Sequence, residues 1–158
     1  MMDGTDHKHL VRAVELAEEA LAGGNDPFGT LLVSATGEVL YEARNETAGG
    51  DETRHPELLV AQWAARHLSP EARRAAVVYT SGEHCPMCSA AHGWVGLGKI
   101  VYASSSEQLG KWLAGFGLPP TPVTILPIAA LVPGIEVDGP DLSLADRIEA
   151  MHRKNIGR

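Results

Sequence analysis

The sequence predicts a three-layer α/β/α sandwich built on a five-stranded mixed sheet. Three observations predict it. Apolar residues alternate between helical and strand spacing along the chain. Two strand-like runs joined by a Gly-containing turn come early, and single strands separated by helices follow. A length of 158 residues is enough for one well-buried core and short for two. Strands separated by helices pair in parallel through right-handed crossovers, which sends the hairpin to an edge.

The elements follow in order. Leu10, Val14, Ala17 and Leu21 recur at helical spacing, with Thr5 or Asp6 available as a cap and Gly23-Gly24 as a stop. Phe28 to Val33 and Glu38 to Ala43 are strand-like, separated by a turn from Ser34 to Gly37. A polar stretch from Asn45 to Arg54 leads into a helix from His55 to His67, where Pro56 suits a first helical position and Leu58, Leu59, Ala61, Trp63 and Ala64 supply apolar surface. Val77 to Thr80 is a short buried strand, Pro86 to Leu97 a helix, Lys99 to Ala103 a strand, and Gln108 to Phe116 a helix. Val123 to Leu126 supplies the fifth strand, and Leu144 to Lys154 closes the chain as a helix with Leu144, Ile148 and Met151 on one stripe. Trp63, Trp112 and Met151 fall at core positions. Proline and glycine clusters from Gly117 to Pro122 and from Pro133 to Pro140 punctuate the C-terminal part without making a linker, so residues 1–158 are expected to form one domain.

Composition narrows the function. Thirteen Lys and Arg against 20 Asp and Glu give a net charge of −7, which repels polyphosphate and favours a small-molecule substrate over nucleic acid. No run reaches about 18 apolar residues, so no membrane span is expected, and the chain reads as cytoplasmic. Its two cysteines lie three positions apart. In a reducing compartment that spacing points to metal or redox chemistry rather than a staple.

The chemistry sits in Thr53-Arg-His55-Pro-Glu57 and Thr80-Ser-Gly-Glu-His-Cys85-Pro-Met-Cys88. Taken alone, Cys-x-x-Cys is a redox motif, half a zinc knuckle, two buried thiols or part of a catalytic site. Two thiolates and one imidazole together make a zinc site with three protein ligands, and the open fourth position distinguishes catalytic from structural zinc. Cys85 and Cys88, at the start of a helix, share one face and gain from its positive end. His55 and Glu57, at i and i+2, would point apart in a regular helix, so the pair makes sense only at a helix start. Glu57 is then the proton carrier and not a ligand.

The combination resembles the cytidine and nucleobase deaminase superfamily, whose signature is His-x-Glu followed by Pro-Cys-x-x-Cys, bound to zinc with the Glu as proton shuttle. Within it, Pro27-Phe28-Gly29, Arg44-Asn45, Cys-Pro-Met-Cys, Gly93-Trp94 and Ile100-Val-Tyr-Ala103 are most similar to the guanine deaminase branch. The resemblance implies a five-stranded sheet of the cytidine deaminase type and hydrolytic deamination of a small aminated nucleobase-like ring with release of ammonia. It also implies Phe28 and Trp94 as pocket walls, the Asn45 amide on the ring edge, and a homodimer in which the partner and the C-terminal segment close the pocket.

Two positions depart from the pattern. His84 stands where the family has proline, beside a metal ligand. Pro56 stands where the family mostly has alanine, whose N–H meets an oxo group of the base. Proline has no N–H. A buried acceptor left unpaired costs on the order of 1 to 3 kcal/mol, so the preferred ring is expected to differ from guanine at that oxygen or to be anchored otherwise. The competing readings are a tRNA adenosine deaminase, a cytosine or cytidine deaminase, and a non-catalytic zinc-stabilised module in which His84 closes the tetrahedron.

Overall fold

The computed structural model describes residues 1–157. Helix α1 spans Gly4–Ala22 and opens on a reciprocal cap: Asp3 accepts from the Thr5 and Asp6 N–H groups while Asp6 accepts from the Asp3 N–H. The cap is therefore Asp3, not Thr5 or Asp6. A carboxylate two or three residues upstream reaches the first free N–H groups, whereas Thr5 and Asp6 already lie inside the helix. Strands β1 (Gly29–Val33) and β2 (Val39–Arg44) form the expected antiparallel hairpin. Helix α2 (Pro56–His67) and a six-residue helix α3 (Pro70–Ala75) precede strand β3 (Val77–Gly82). Helix α4 (Pro86–Val95), strand β4 (Ile100–Ser104), helix α5 (Ser106–Gly115), strand β5 (Val137–Asp138) and helix α6 (Ala145–Ile156) complete the order.

The strands lie in the order β2-β1-β3-β4-β5. β1 pairs antiparallel with both β2 and β3, while β3, β4 and β5 are parallel, so the hairpin is at an edge. Alternation along the strands sends Leu31, Val33, Tyr79, Val101 and Ala103 to the α1 and α6 side, where they meet Leu10, Val14, Ala17, Ile148 and Met151. Leu32 and Val78 face the other way, onto Val60, Ala61 and Ala64 of α2. The α1 backbone rests directly on β1, since a methyl on Gly29 would stand 2.4 Å from the Ala13 carbonyl oxygen.

The fifth strand lies elsewhere than the sequence predicts. Val123 to Leu126 does not join the sheet; Val123, Ile125 and Leu126 are all exposed, and the fifth strand is Val137–Asp138. The prolines at 119, 120, 122 and 127 bracket that run and cannot donate to a ladder. The place beside β4 is taken where Ile100 N–H donates to the Glu136 carbonyl. Helix α3 was not anticipated, although Ser69 caps it and Pro70 occupies its first position. Residues 117–136, between α5 and β5, form an irregular strap interrupted by a short 3-10 turn over Ile128–Ala130.

Candidate active site

Two helices begin at one place, each in the same way. His55 is the extended residue before α2 and Cys85 the extended residue before α4, and each is followed by a proline at the first helical position. That irregular start is what lets His55 and Glu57 share a site despite their i, i+2 spacing. Cys88 follows in the first turn of α4 and is buried. The His55 Nδ1 lies 3.6 Å from the Sγ of Cys85 and 3.6 Å from the Sγ of Cys88. The three ligand atoms all fall within 4.8 Å of one another.

These distances fit zinc. Bonds of about 2.0 Å to nitrogen and about 2.3 Å to sulfur at a tetrahedral angle separate the two ligand atoms by about 3.5 Å. The electrostatics agree. The Cys85 thiol is drawn down to about 4, first by the hydrogen bond from Cys88 and then by His55. The Cys88 thiol is raised by that same bond and by burial. Two thiols around one nitrogen compete for one proton, and a dication relieves that conflict by stabilising both as thiolates. Hydrogen bonding to Cys85 also holds the His55 imidazole above its ordinary range.

His84, the neighbour poised to supply a fourth ligand, points elsewhere. Its ring is buried and packs edge-on against His92 with centroids 5.3 Å apart, outside the ligand cluster. Burial holds both imidazoles below their ordinary range. His92 donates from Nε2 to the Gly98 carbonyl at 2.8 Å. Among the described residues the cluster therefore has three protein ligands and an open corner.

Glu57 sits in the first turn of α2, is 5 % exposed, and is not part of the ligand set. Burial pushes its carboxyl up to about 7, against the pull of His55. Behind it the Thr30 hydroxyl donates to Glu57 Oε1 at 3.5 Å and meets the Thr80 hydroxyl at 3.0 Å. Neither threonine was anticipated. The signal was present, as a hydroxyl at an inward position of an otherwise apolar strand, but it has no spacing that sets it apart from a structural threonine.

The expected pocket residues separate into two groups. Asn45 is buried, its N–H donating to the Phe28 carbonyl at 3.0 Å. Its Oδ1 accepts from the Thr47 N–H and hydroxyl, so the side chain caps a turn and its Nδ2 is aimed away from that turn. Phe28 is half-buried against Gly82, where an added methyl would stand 3.5 Å from the ring, and its centroid is 5.1 Å from that of His152 on α6. Pro56 is buried between His55 and Glu57. Trp94 is 92 % exposed, in the last turn of α4. Six residues beyond Cys88 at 3.6 per turn, it projects about 120° away from the ligand, and this chain alone does not bring it to the cluster.

Residues 3–104 match the model of the cytidine and deoxycytidylate deaminase zinc-binding region. The chain belongs to this deaminase family. Among relatives, a probable cytosine deaminase of Schizosaccharomyces pombe is 34 % identical over 109 residues, covering 67 % of this chain and 64 % of that protein. A guanine deaminase of Bacillus subtilis is 35 % identical over 109 residues, covering 68 % of each chain. The chain thus spans about two thirds of the length of these relatives. The solved structure of a guanine deaminase from Nitrosomonas europaea superposes with a TM-score of 0.71 at 20 % identity, covering 100 % of this chain and 87 % of that one, and so shares the deaminase fold. The matching family model is that of a zinc-binding region, and His55, Cys85 and Cys88 form a cluster that fits zinc here.

Proposed function

We propose that the chain hydrolyses the exocyclic amine of a small aminated nucleobase-like ring and releases ammonia. One observation carries this reading: a buried carboxyl group stands at the same helix start as a three-ligand metal cluster with an open corner. A zinc ion held by His55, Cys85 and Cys88 supplies a Lewis acid and a water that ionises near neutrality. Glu57 takes a proton and returns it, first to a ring nitrogen and then to the departing amine, a role that suits a buried carboxyl group beside the cluster. Thr30 and Thr80 hold that carboxyl in place.

The chain's other residues hold the ring. Asn45, fixed by Thr47, offers its Nδ2 to the ring edge. Phe28 supplies an apolar wall. Pro56, at the first position of α2, offers no N–H. An oxo group that called on an N–H at this one position would find no donor there, at a cost on the order of 1 to 3 kcal/mol where nothing else pairs it. The guanine and cytosine deaminases among its relatives support an aminated base as substrate, and the −7 charge disfavours a polynucleotide. We place the chain in the cytoplasm, where two thiolates remain reduced, and as a homodimer whose second copy covers Trp94.

Ammonia release by the purified protein over guanine, cytosine, adenine, aminated triazines and their nucleosides tests this. Glu57→Gln is expected to keep its zinc and lose about a hundredfold to ten-thousandfold in rate. No ammonia from any ring, or a Glu57→Gln protein as active as the parent, sinks the reading.

A further inference from the structure

The proposed chemistry makes no use of Glu83, in the loop between β3 and Cys85. Its N–H donates to the Ser104 carbonyl at 2.8 Å. Its two carboxylate oxygens then go to two different places. Oε1 accepts from the Ser106 N–H at 2.9 Å, at the first position of α5, and Oε2 accepts from the Ile128 N–H at 2.8 Å, in the strap. Both are charge-assisted bonds, and the first also places an anion at a helix N-terminus.

We propose that Glu83 is a positioning residue for the cysteine half of the metal site, tying the loop that carries Cys85 to the strap of residues 117–136. The strap has little hold of its own. Leu118, Val123, Ile125, Leu126 and Leu131 are 38 to 51 % exposed, whereas Ile128 is fully buried, at the residue whose N–H Glu83 receives. Four residues on, the strap touches the other cysteine's helix: a methyl on Gly93 would stand 3.1 Å from Val132 Cγ2, so Val132 lies against α4. The strap thus bears on Cys85 through Glu83 and on Cys88 through α4. Cys85, two residues beyond Glu83, has no side-chain cap bond of its own. The His55 half needs no such tie, because α2 buries Val60, Ala61 and Ala64 against the sheet. Glu83 lies outside the ligand cluster, so it acts on the metal through Cys85.

The inference rests on the zinc site, and the test separates the two. Zinc transfer from loaded protein to an excess of a chromogenic chelator is timed well below the melting temperature for the parent, Glu83→Ala, Glu83→Gln and Val132→Ala. Amide hydrogen exchange at Ser106 and Ile128 is followed in loaded and zinc-free protein. Glu83→Ala is expected to release zinc tenfold faster or more, with both amides losing protection. Glu83→Gln, which keeps one carbonyl acceptor, falls between it and the parent. Val132→Ala gives a smaller acceleration from the Cys88 side. If Glu83→Ala fails to fold, the other two variants decide. Release at the parental rate from folded Glu83→Gln and Val132→Ala overturns the inference, including the case where only the melting temperature falls. A parent that binds no zinc overturns the site reading instead, and unchanged protection at Ser106 and Ile128 in the zinc-free variants would then overturn the tie as well.

Discussion

The two faces of the sheet are built from different stock. Toward α1 and α6 the buried set is nearly all Leu, Val, Ala, Ile and Met, with Tyr79 donating to Asp6 at 2.7 Å as a satisfied exception. Toward α2 and α4 an apolar patch around Leu32, Val60 and Val78 gives way, at the end where β3 runs into Cys85, to Thr30, Thr80, Glu57, His84, Ser89 and His92, all buried. Burying polar groups costs free energy unless they are paired, and that cost is concentrated on one face. The apolar face can then stabilise the chain while the polar face is left to chemistry. The two functions should come apart under substitution.

Cys88→Ser is the hardest test of that separation. A serine hydroxyl is not anionic near neutral pH, so the cluster loses a soft ligand. Changes one shell further out already cost about 10- to 100-fold in metal affinity, so zinc binding should weaken by at least about a hundredfold and ammonia release should fall to background. The amides of Leu10, Val14 and Ala17 should keep their exchange protection, because α1 packs on the other face. Loss of protection there together with zinc would show that the faces are one unit. Elemental analysis and exchange on the same sample decide it.

A smaller effect probes a second buried polar side chain on the α6 side. His152 on α6 is 5 % exposed, and burial takes its imidazole down to about 4. The sign follows from linkage: the unfolded chain binds the proton near 6.5 and the folded chain resists it, so stability is full above about 6.5 and is lost as pH falls toward about 4. Between pH 7.5 and 4.5 this group contributes a loss of about 2 kcal/mol. Denaturant melts of zinc-free protein at those two pH values should show a His152→Leu variant losing about that much less than the parent. Equal losses would mean that His152 is protonated in the folded state.

Much of this was legible in the sequence, and the part that was not has a common cause. The hairpin, the parallel strands and the His55, Glu57, Cys85 and Cys88 quartet depend on periodicities and spacings within a few residues, which a single chain displays. Val123 to Leu126 looked like a strand because its composition suits one. What decides strand pairing is whether β4 has a free neighbour, and Glu136 and Val137 had taken that place. Thr30 became a site residue only when β1 and β3 came into register opposite α2. Glu83 sits next to the cysteines in sequence, yet its partners are 23 and 45 positions away. Trp94 sits beyond the first turn of a helix whose ligand is six residues back, and only three-dimensional phase shows that it projects outward.

Thr30→Val makes the finest cut between the faces, because it changes one hydroxyl to a methyl of nearly the same shape. The hydroxyl donates to Glu57 at 3.5 Å, a long bond, and Thr80 keeps its own bond to the Gly82 carbonyl at 2.9 Å without it. Stability should therefore fall by about 1 kcal/mol, since a net hydrogen bond contributes about that much and the new methyl meets the Glu57 carboxyl and the Thr80 hydroxyl. Zinc content should not change, because no ligand is touched. The rate should nonetheless drop several-fold, because Glu57 must be held within hydrogen-bond reach of two successive proton positions and loses one of the groups that orient it. A Thr30→Val protein with the parental kcat would show that burial alone positions the carboxyl, and the polar half of this face would then be a by-product of the fold rather than part of the reaction.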